Sequence, residues 1–385
     1  MKTTAVWHVR FCLSFLFFFF LFHFFLFLSS ILWTLQSSSP TASAALTALE
    51  SGGDNDPAAA LRWSSRARAA GGGNGSVITL DESTGVPDPY RGAFLAVGNF
   101  DGVHRGHARL IARLRANADA VGVPAVALTF DPHPVAVLRP NQAPAPLVWT
   151  ERKVALLKDA GATEVGVFRT GPWLLGLTAR EFFDRIIVGR FEAQGMVEGP
   201  NFAFGRDRGG DAALLADWCA RSGLALEVVE PTDFDGEMVS SSRIRRLLAE
   251  GQVQVAARLL GRPYRLRGVV GHGAARGRGL GFPTANLDGI DTMIPDNGVY
   301  AALAFLDGQG PPRPTASHIG PNVTFGEQVR KVESHLIDFD GDLYGRTLEL
   351  EFLSRLRATR KFDGLDDLLA QIKTDVEQAR AVCGE

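Results

Sequence analysis

Cysteine is scarce: Cys12, Cys219 and Cys383 are the three in 385 residues. They stand far apart, so neither a disulfide framework nor the close spacing of a zinc site can be built from them, and a reducing compartment suits the chain. Charge of one sign is missing as well. A formal net charge of −2 leaves no basic stripe and no acidic tail, so no nucleic-acid partner is expected. What the length does allow is two domains with sizeable cores.

One long apolar run breaks this picture. "FCLSFLFFFFLFHFFLFLSSILWTL", from Phe11 to Leu35, is about as long as a bilayer crossing requires. Lys2 and Arg10 precede it, and Glu50, Asp54 and Asp56 follow, so the positive-inside rule would export everything after it. Two readings stand side by side. The run is an anchor or targeting peptide, giving contact with a membrane, or the start codon is placed too far upstream and the run is absent from the working protein. From Ser37 to about Gly75 the composition turns to Ser, Ala and Gly without apolar period, as in a linker. Residues 1–75 are therefore set apart from two domains expected over 76–262 and 263–385.

From Val77 to Gly251 short apolar runs alternate with helical periods, the pattern of a doubly wound α/β domain with a parallel sheet. "AFLAV" reads as the first buried strand, "PAVALTF" as the second, "TEVGVF" as the third and "LALEVVE" as a later one. Thr150 is placed to cap a helix ending at Gly161. Thr178 and Glu181 form a capping box ahead of Phe182, Phe183, Ile186 and Ile187. Asp211 and Gly223 bracket another helix, and "SSRIRRLLAEG" closes the domain with one that stops at Gly251.

Beyond Pro263 the texture becomes β-rich. "DG" at Asp307–Gly308 and "DFDGD" at Asp338–Asp342 lie between apolar alternations, which is hairpin chemistry. A terminal helix carrying Leu365, Leu368, Leu369, Ile372 and Val376 on one face is expected to close a small β-barrel.

"AVGNFDGVHRGHARLI", Ala96 to Ile111, lies where the first strand passes into a helix. In open α/β sheets a ligand sits beyond the carboxyl ends of the strands, and glycines there let backbone amides approach phosphate. His104 and His107, three apart, can both donate to one phosphate and stabilise charge on a displaced pyrophosphate. The string "GNFDGVHRGH" resembles the H-x-G-H signature of nucleotidyltransferases, and specifically the bacterial FMN adenylyltransferase branch. "TFDPHP" from Thr129, "GPNFAFGRDRGGD" from Gly199 and "VSSSRIR" from Val239 match further motifs of that branch, in order. The resemblance puts His104 and His107 on the ATP phosphates, with Gly98, Asp101 and Gly106 shaping the loop. It makes Arg245 the cation at a helix start and sets Ser241 and Ser242 beside ATP. The family motif usually reads S-S-T where this chain has Ser240, Ser241 and Ser242, which bears on the positioning of Ser242. Asn201 would face the flavin, and His133 would line the same cleft.

"GHGAARGRGLGFPTANL", Gly271 to Leu287, is again glycine-rich but lacks the G-K-[ST] ending of a Walker loop, so that reading fails. It resembles the riboflavin kinase signature G-R-x-L-G-F-P-T-A-N. By that resemblance Gly271, Gly277, Arg278 and Gly281 belong to the ATP loop, while Thr284 and Asn286 offer hard oxygens for Mg²⁺. Glu333, in "KVESHLIDF", matches the family's catalytic glutamate, the base that a kinase acting on an alcohol requires. "GVY" at Gly298–Tyr300, "DLYG" at Asp342–Gly345 and "LRATRKF" at Leu356–Phe362 support the match and bring in Tyr300 for the flavin and Arg357 as a flavin-site or transition-state cation.

The resemblance, to bacterial bifunctional riboflavin kinase/FMN adenylyltransferases, runs from about Ser76 to Arg380. It implies a Rossmann-like nucleotidyltransferase domain followed by a small Greek-key barrel with a C-terminal helix. It implies two reactions: riboflavin plus ATP gives FMN and ADP, then FMN plus ATP gives FAD and pyrophosphate. Both consume ATP with Mg²⁺, which argues for the cytoplasm and against the exported topology. A flavin- or nucleotide-binding regulator with decayed sites is the competing reading, and intact His104, His107, Thr284, Asn286 and Glu333 argue against it. A cytidylyltransferase-type enzyme is opposed by the kinase-like second half.

Overall fold

Runs of residues buried on both faces build the first sheet, as parallel strands flanked by helices require. The computed structural model describes residues 77–384, except 274–275, 322–323, 325–327 and the side chains of Arg276 and Arg278. The apolar run at 11–35 and the linker that follows lie outside the described residues. Strands β1 (Ile78–Leu80), β2 (Phe94–Val97), β3 (Ala125–Asp131), β4 (Glu164–Arg169), β5 (Gly195–Glu198) and β6 (Ala225–Val228) lie in the order β1-β4-β3-β2-β5-β6. Every pairing is parallel. The sheet is doubly wound, and its order reverses between β2 and β5. Two strands escape the sequence pattern. β1 is an edge strand of three residues, so "AFLAV" is the second strand, and β5 is a four-residue stretch opened by glycine.

Helix α1 (Arg105–Val121) buries Ile111, Leu114 and Ala118 and ends on Gly122 at φ 74°. In α2 (Thr150–Asp159) the cap is Trp149, which bonds no helix amide through its side chain; Thr150 is the first helical residue instead. The Thr178–Glu181 capping box forms, and the helix then widens into a π-helix over Phe182–Arg190. Asp211 caps α3 (Ala212–Ser222), Ser240 caps α4 (Ser241–Ala249), and α5 (Val253–Leu260) leads to the second half.

That half is a closed antiparallel barrel of β7 (Tyr264–Gly271), β8 (Ala285–Asp288), β9 (Gly298–Leu306), β10 (Gln309–Gly320), β11 (Lys331–Leu336) and β12 (Thr347–Arg357). The order is β7-β8-β11-β10-β9-β12. The meander β9-β10-β11 has β12 returning beside β9, which makes a Greek key. Asp307 and Gly308, at φ 51° and 69°, turn the β9–β10 hairpin as expected. "DFDGD" makes no hairpin: β11 pairs with β8 and β10, so this loop crosses from β11 to a non-neighbour, β12. The terminal helix α6 (Leu365–Cys383) also docks differently from its leucine pattern. Asp375 and Ala379 are its buried residues and Leu365 is exposed, because the helix leans on the barrel through its second half.

The two halves share one core. Leu147, Ile244, Leu248, Ala256 and Leu260 from the helical half pack in a single cluster with Tyr264, Leu266, Tyr300 and Phe352 of the barrel. Backbone bonds cross as well, from Met293 N to Pro146 O (2.8 Å) and from Asp296 N to Leu248 O (2.9 Å). Leu248 is fully buried there. Leu248→Ala is expected to cost about 2–5 kcal/mol and to move one calorimetric transition of both halves; two separated transitions would contradict the shared core.

Candidate active sites

The first cluster of chemistry-bearing groups lies at the switch point between β2 and β5, where a doubly wound sheet leaves a crevice. Leaving β2, the chain turns through Phe100, Gly102 and Val103, all at positive φ. His104 then caps α1: its Nδ1 accepts from His107 N at 3.3 Å, so its ring proton is on Nε2. The two imidazoles stack with centroids 3.6 Å apart and planes at 17°, and the Phe100 ring meets His107 edge-on at 5.3 Å. Gly106 permits the stack, since a Cβ there would press within 3.2 Å of the His104 ring. Gly98 likewise makes room for the Phe100 ring.

Burial is the main force on both histidines. It holds His104 down at about 4, with Arg262 adding to the effect. His107 is pushed well below the ordinary imidazole value by burial, then by His104, Lys153 and Arg262. Both rings are therefore neutral at neutral pH. His107 Nδ1, Asn99 Oδ1, Thr170 Oγ1 and Thr232 Oγ1 are buried with no hydrogen-bond partner among the described residues. All four follow the carboxyl ends of β2, β4 or β6, an arrangement that suits a polar ligand.

Asp101 is the hub of this loop. Its carboxylate accepts from Leu147 N (2.9 Å) and pairs with Arg245, while its backbone carbonyl accepts from Ser241 Oγ (2.8 Å). Arg245 also donates to Ala145 O at 2.9 Å, so it is a fixed, paired cation. The Ser241 hydroxyl is spent on the loop, and Ser242 is exposed on the first turn of α4. His133 caps the short helix Pro134–Leu138 and lies in the field of Asp101, Arg245 and Lys153, with its pKa lowered chiefly by burial. Asn201 is exposed just past β5.

The second cluster runs around one level of the barrel. Strand register sets Gly271, Asn286, Glu333, His318, Val299 and Arg357 side by side on β7, β8, β11, β10, β9 and β12. Their neighbours Ala285, Leu287, Val332, Ser334, Ser317 and Ile319 are buried, so by alternation Asn286, Glu333 and His318 face outward. The loop after β7 folds back on this row. A Cβ on Gly273 would overlap the Asn286 amide, and one on Gly277 would overlap Phe282 O and lie 3.4 Å from Thr284 Oγ1. Gly281, at φ 82°, supplies a left-handed turn. The Arg278 side chain lies outside the described residues. Thr284 and Asn286, held against this glycine cradle, are hard-oxygen donors that fit a Mg²⁺ retaining most of its waters. Among the described residues no group of three or more His, Cys, Asp or Glu could hold a metal.

Arg357 makes a forked ion pair with the buried Asp375 of α6 (2.7–3.1 Å) and stacks near Phe362, joining barrel to helix. Tyr300 is 0% exposed, with its hydroxyl donating to Asp296 O (2.6 Å). It packs in the barrel core against Phe352.

Two family models match the chain, one described as FAD synthetase over residues 87–243 and one described as riboflavin kinase over 260–383. The bifunctional riboflavin kinase/FMN adenylyltransferase of Pseudomonas fluorescens is 39% identical over 293 residues, covering 76% of this chain and 94% of that relative. This chain belongs to the bifunctional riboflavin kinase/FMN adenylyltransferase family. A Bacillus subtilis member is 34% identical over 292 residues, with 74% and 90% covered. A solved structure described as a macrolide-efflux protein from Streptococcus pneumoniae superposes at a TM-score of 0.68 with 31% identity, covering 79% of this chain and 99% of that one.

Within this family member, three buried ionisable residues at the first site escape a reading by motif. Lys153 is 8% exposed on α2, close enough to Asp101 and Asp131 to feel both; a lysine on the buried face of Val154 and Leu157 was its signal. Arg262 follows α5, inside "LLGRPY", with nothing to mark it. Glu198 ends β5, 2% exposed, and accepts from Val97 N at 2.7 Å, filling the gap where β2 and β5 part. Burial raises its carboxyl well above the usual value. The unfolded chain releases that proton near the ordinary carboxyl pKa and the folded chain does not, so this residue's contribution falls as pH rises above that value. Glu198→Gln, which has no proton to lose, is expected to gain stability over the parent between pH 5 and pH 8 in urea unfolding. An equal difference at both pH values would contradict a neutral Glu198.

Proposed function

We propose that this chain makes FAD in two ATP-consuming steps, at two sites in separate halves. The barrel half, 263–385, phosphorylates riboflavin to FMN with release of ADP. The α/β half, 76–262, joins FMN to the adenylyl group of ATP with release of pyrophosphate. The observation that carries this reading is the pair of buried, neutral, stacked imidazoles at the helix start beyond β2, paired with a second row of Asn286 and Glu333 on the barrel.

In the α/β half an FMN phosphate oxygen, already anionic, attacks the α-phosphorus of ATP in line, and the bond to pyrophosphate breaks. No base is needed. His104, through Nε2–H, and His107 donate to the phosphates as charge grows on the departing oxygens, helped by the amides that open α1. Gly98, Asp101 and Gly106 shape the loop, and Arg245 with Ser241 fixes it through Asp101. Ser242 borders the nucleotide, and Asn201 and His133 border the flavin.

In the barrel half Glu333 takes the proton from the ribityl hydroxyl as its oxygen attacks the γ-phosphorus. Backbone amides of Gly271, Gly277 and Gly281, with Arg278, wrap the phosphates. Thr284 and Asn286 would hold Mg²⁺, which neutralises phosphate charge and acts as a Lewis acid when bound. Arg357, steered by Asp375, orients the flavin. Supply of ATP and riboflavin suits the cytoplasm, and among the described residues no helix is long and apolar enough to cross a membrane.

Glu333→Gln is expected to lower FMN formation by about 10²–10⁴-fold and to leave FMN-to-FAD conversion within about twofold of the parent. His107→Ala should do the reverse. The two steps are assayed separately, from riboflavin or from FMN with ATP. Equal loss of both activities in either folded variant would overturn the two-site assignment.

A further inference from the structure

We infer that Arg262, at the junction between α5 and the first barrel strand, is a positioning residue for adenylyl transfer: it clamps the turn that presents His104 and His107. The inference rests on the proposed adenylyl transfer at that pair. Arg262 is 8% exposed. Its guanidinium donates to Val103 O (2.9 Å), to Gly102 O and to Leu260 O (3.2 Å). Among the described residues no carboxylate forms an ion pair with it.

A buried cation with no carboxylate paired to it is costly; Arg152 and Arg265 add like charge around it, and Glu351 and Asp159 oppose them. Chain continuity across the junction needs no such group. What the guanidinium does is grip two successive carbonyls of a turn that is unfavourable on its own. Phe100 and the β-branched Val103 sit at φ 44° and 41°, a region that non-glycine side chains disfavour. Such backbone persists only where its surroundings fix it. The two residues before Arg262 lie beside the turn and the start of α1. A Cβ on Gly102 would lie 3.4 Å from Leu260, and one on Gly261 would lie 3.5 Å from the Arg105 side chain. Leu260, Gly261 and Arg262 thus form a brace, at the junction that leads into the barrel, behind the residues that carry the histidines.

The charge matters as well as the fork. The ionisable group acting on His104 is Arg262 from the junction; those acting on His107 are His104, Lys153 from α2 and Arg262. Removing Arg262 therefore both loosens the turn and makes each imidazole easier to protonate. Lysine at this position keeps the charge but cannot span two carbonyls with a planar fork.

The test uses the full chain with Arg262→Met and Arg262→Lys. Both steps are assayed with KM and kcat resolved, thermal unfolding is recorded, and the histidine ring signals are titrated by NMR. In Arg262→Met the kcat for FMN-to-FAD conversion should fall on the order of 10²-fold, as for a misplacement of about 1 Å. Riboflavin phosphorylation should stay within about twofold, and the His104 titration should move to higher pH. Arg262→Lys should restore the titration but not the kcat. Unchanged FMN-to-FAD kinetics in a folded Arg262→Met would overturn the inference, as would parallel loss of both activities matching the unfolded fraction. If Arg262→Met does not fold, Arg262→Lys decides by its kcat alone, and a parental value rejects the clamp. If the parent converts no FMN to FAD, the functional reading fails instead. The titration still decides whether Arg262 governs the pair, and an unmoved His104 rejects it.

Discussion

Between Val97 and Arg105 the chain has to leave a central strand, reverse, and enter a helix with two imidazoles stacked over its first turn. It does so through Phe100, Gly102 and Val103 at positive φ, and two of these are residues that resist that region. The turn holds because its neighbours over-determine it. Asp101 binds Leu147, Arg245 and Ser241 at once, Thr129 donates to Asn99 O at 3.1 Å, and Arg262 takes the Gly102 and Val103 carbonyls. Loss of the turn would unstack His104 from His107 and undo the helix cap.

The same burial that fixes the turn sets its electrostatics. Lys153, Arg262 and Arg152 are cations held in low-dielectric surroundings, and each has its pKa lowered chiefly by burial. Desolvation of the rings keeps both histidines uncharged, with Arg262 adding to it at both and Lys153 at His107. Each neutral ring keeps one N–H donor, and unsatisfied polar groups at the strand ends lie in the same crevice. On the barrel the row of outward residues is set by strand register, and the glycine loop folds back on it at Gly273 and Gly277.

Much of this was legible in the chain. Periodicity located three of the sheet's first four strands, the caps at Asp211 and Thr178, and the Asp307–Gly308 turn, because each is a local pattern of few residues. β1 and β5 were not legible, being too short to show a period and stabilised by their neighbours in the sheet. "DFDGD" misled because turn chemistry does not reveal which strands pair. The motifs located His104, His107, Asn286 and Glu333, but not Tyr300's burial, which depends on register. Arg262 and Glu198 act through contacts about 160 and 101 residues away in sequence, and no local pattern encodes such a partner.

The central claim is that two chemically distinct phosphorus centres of ATP are used at two sites of one chain. Riboflavin supplied with ATP labelled distinguishably at the α- and γ-phosphorus tests it most directly, with the isolated FAD cleaved into its two nucleotide halves. The account predicts γ label in the FMN half and α label in the AMP half, with no label left on the protein. Product that stops at γ-labelled FMN, or label retained covalently on the chain, would contradict it.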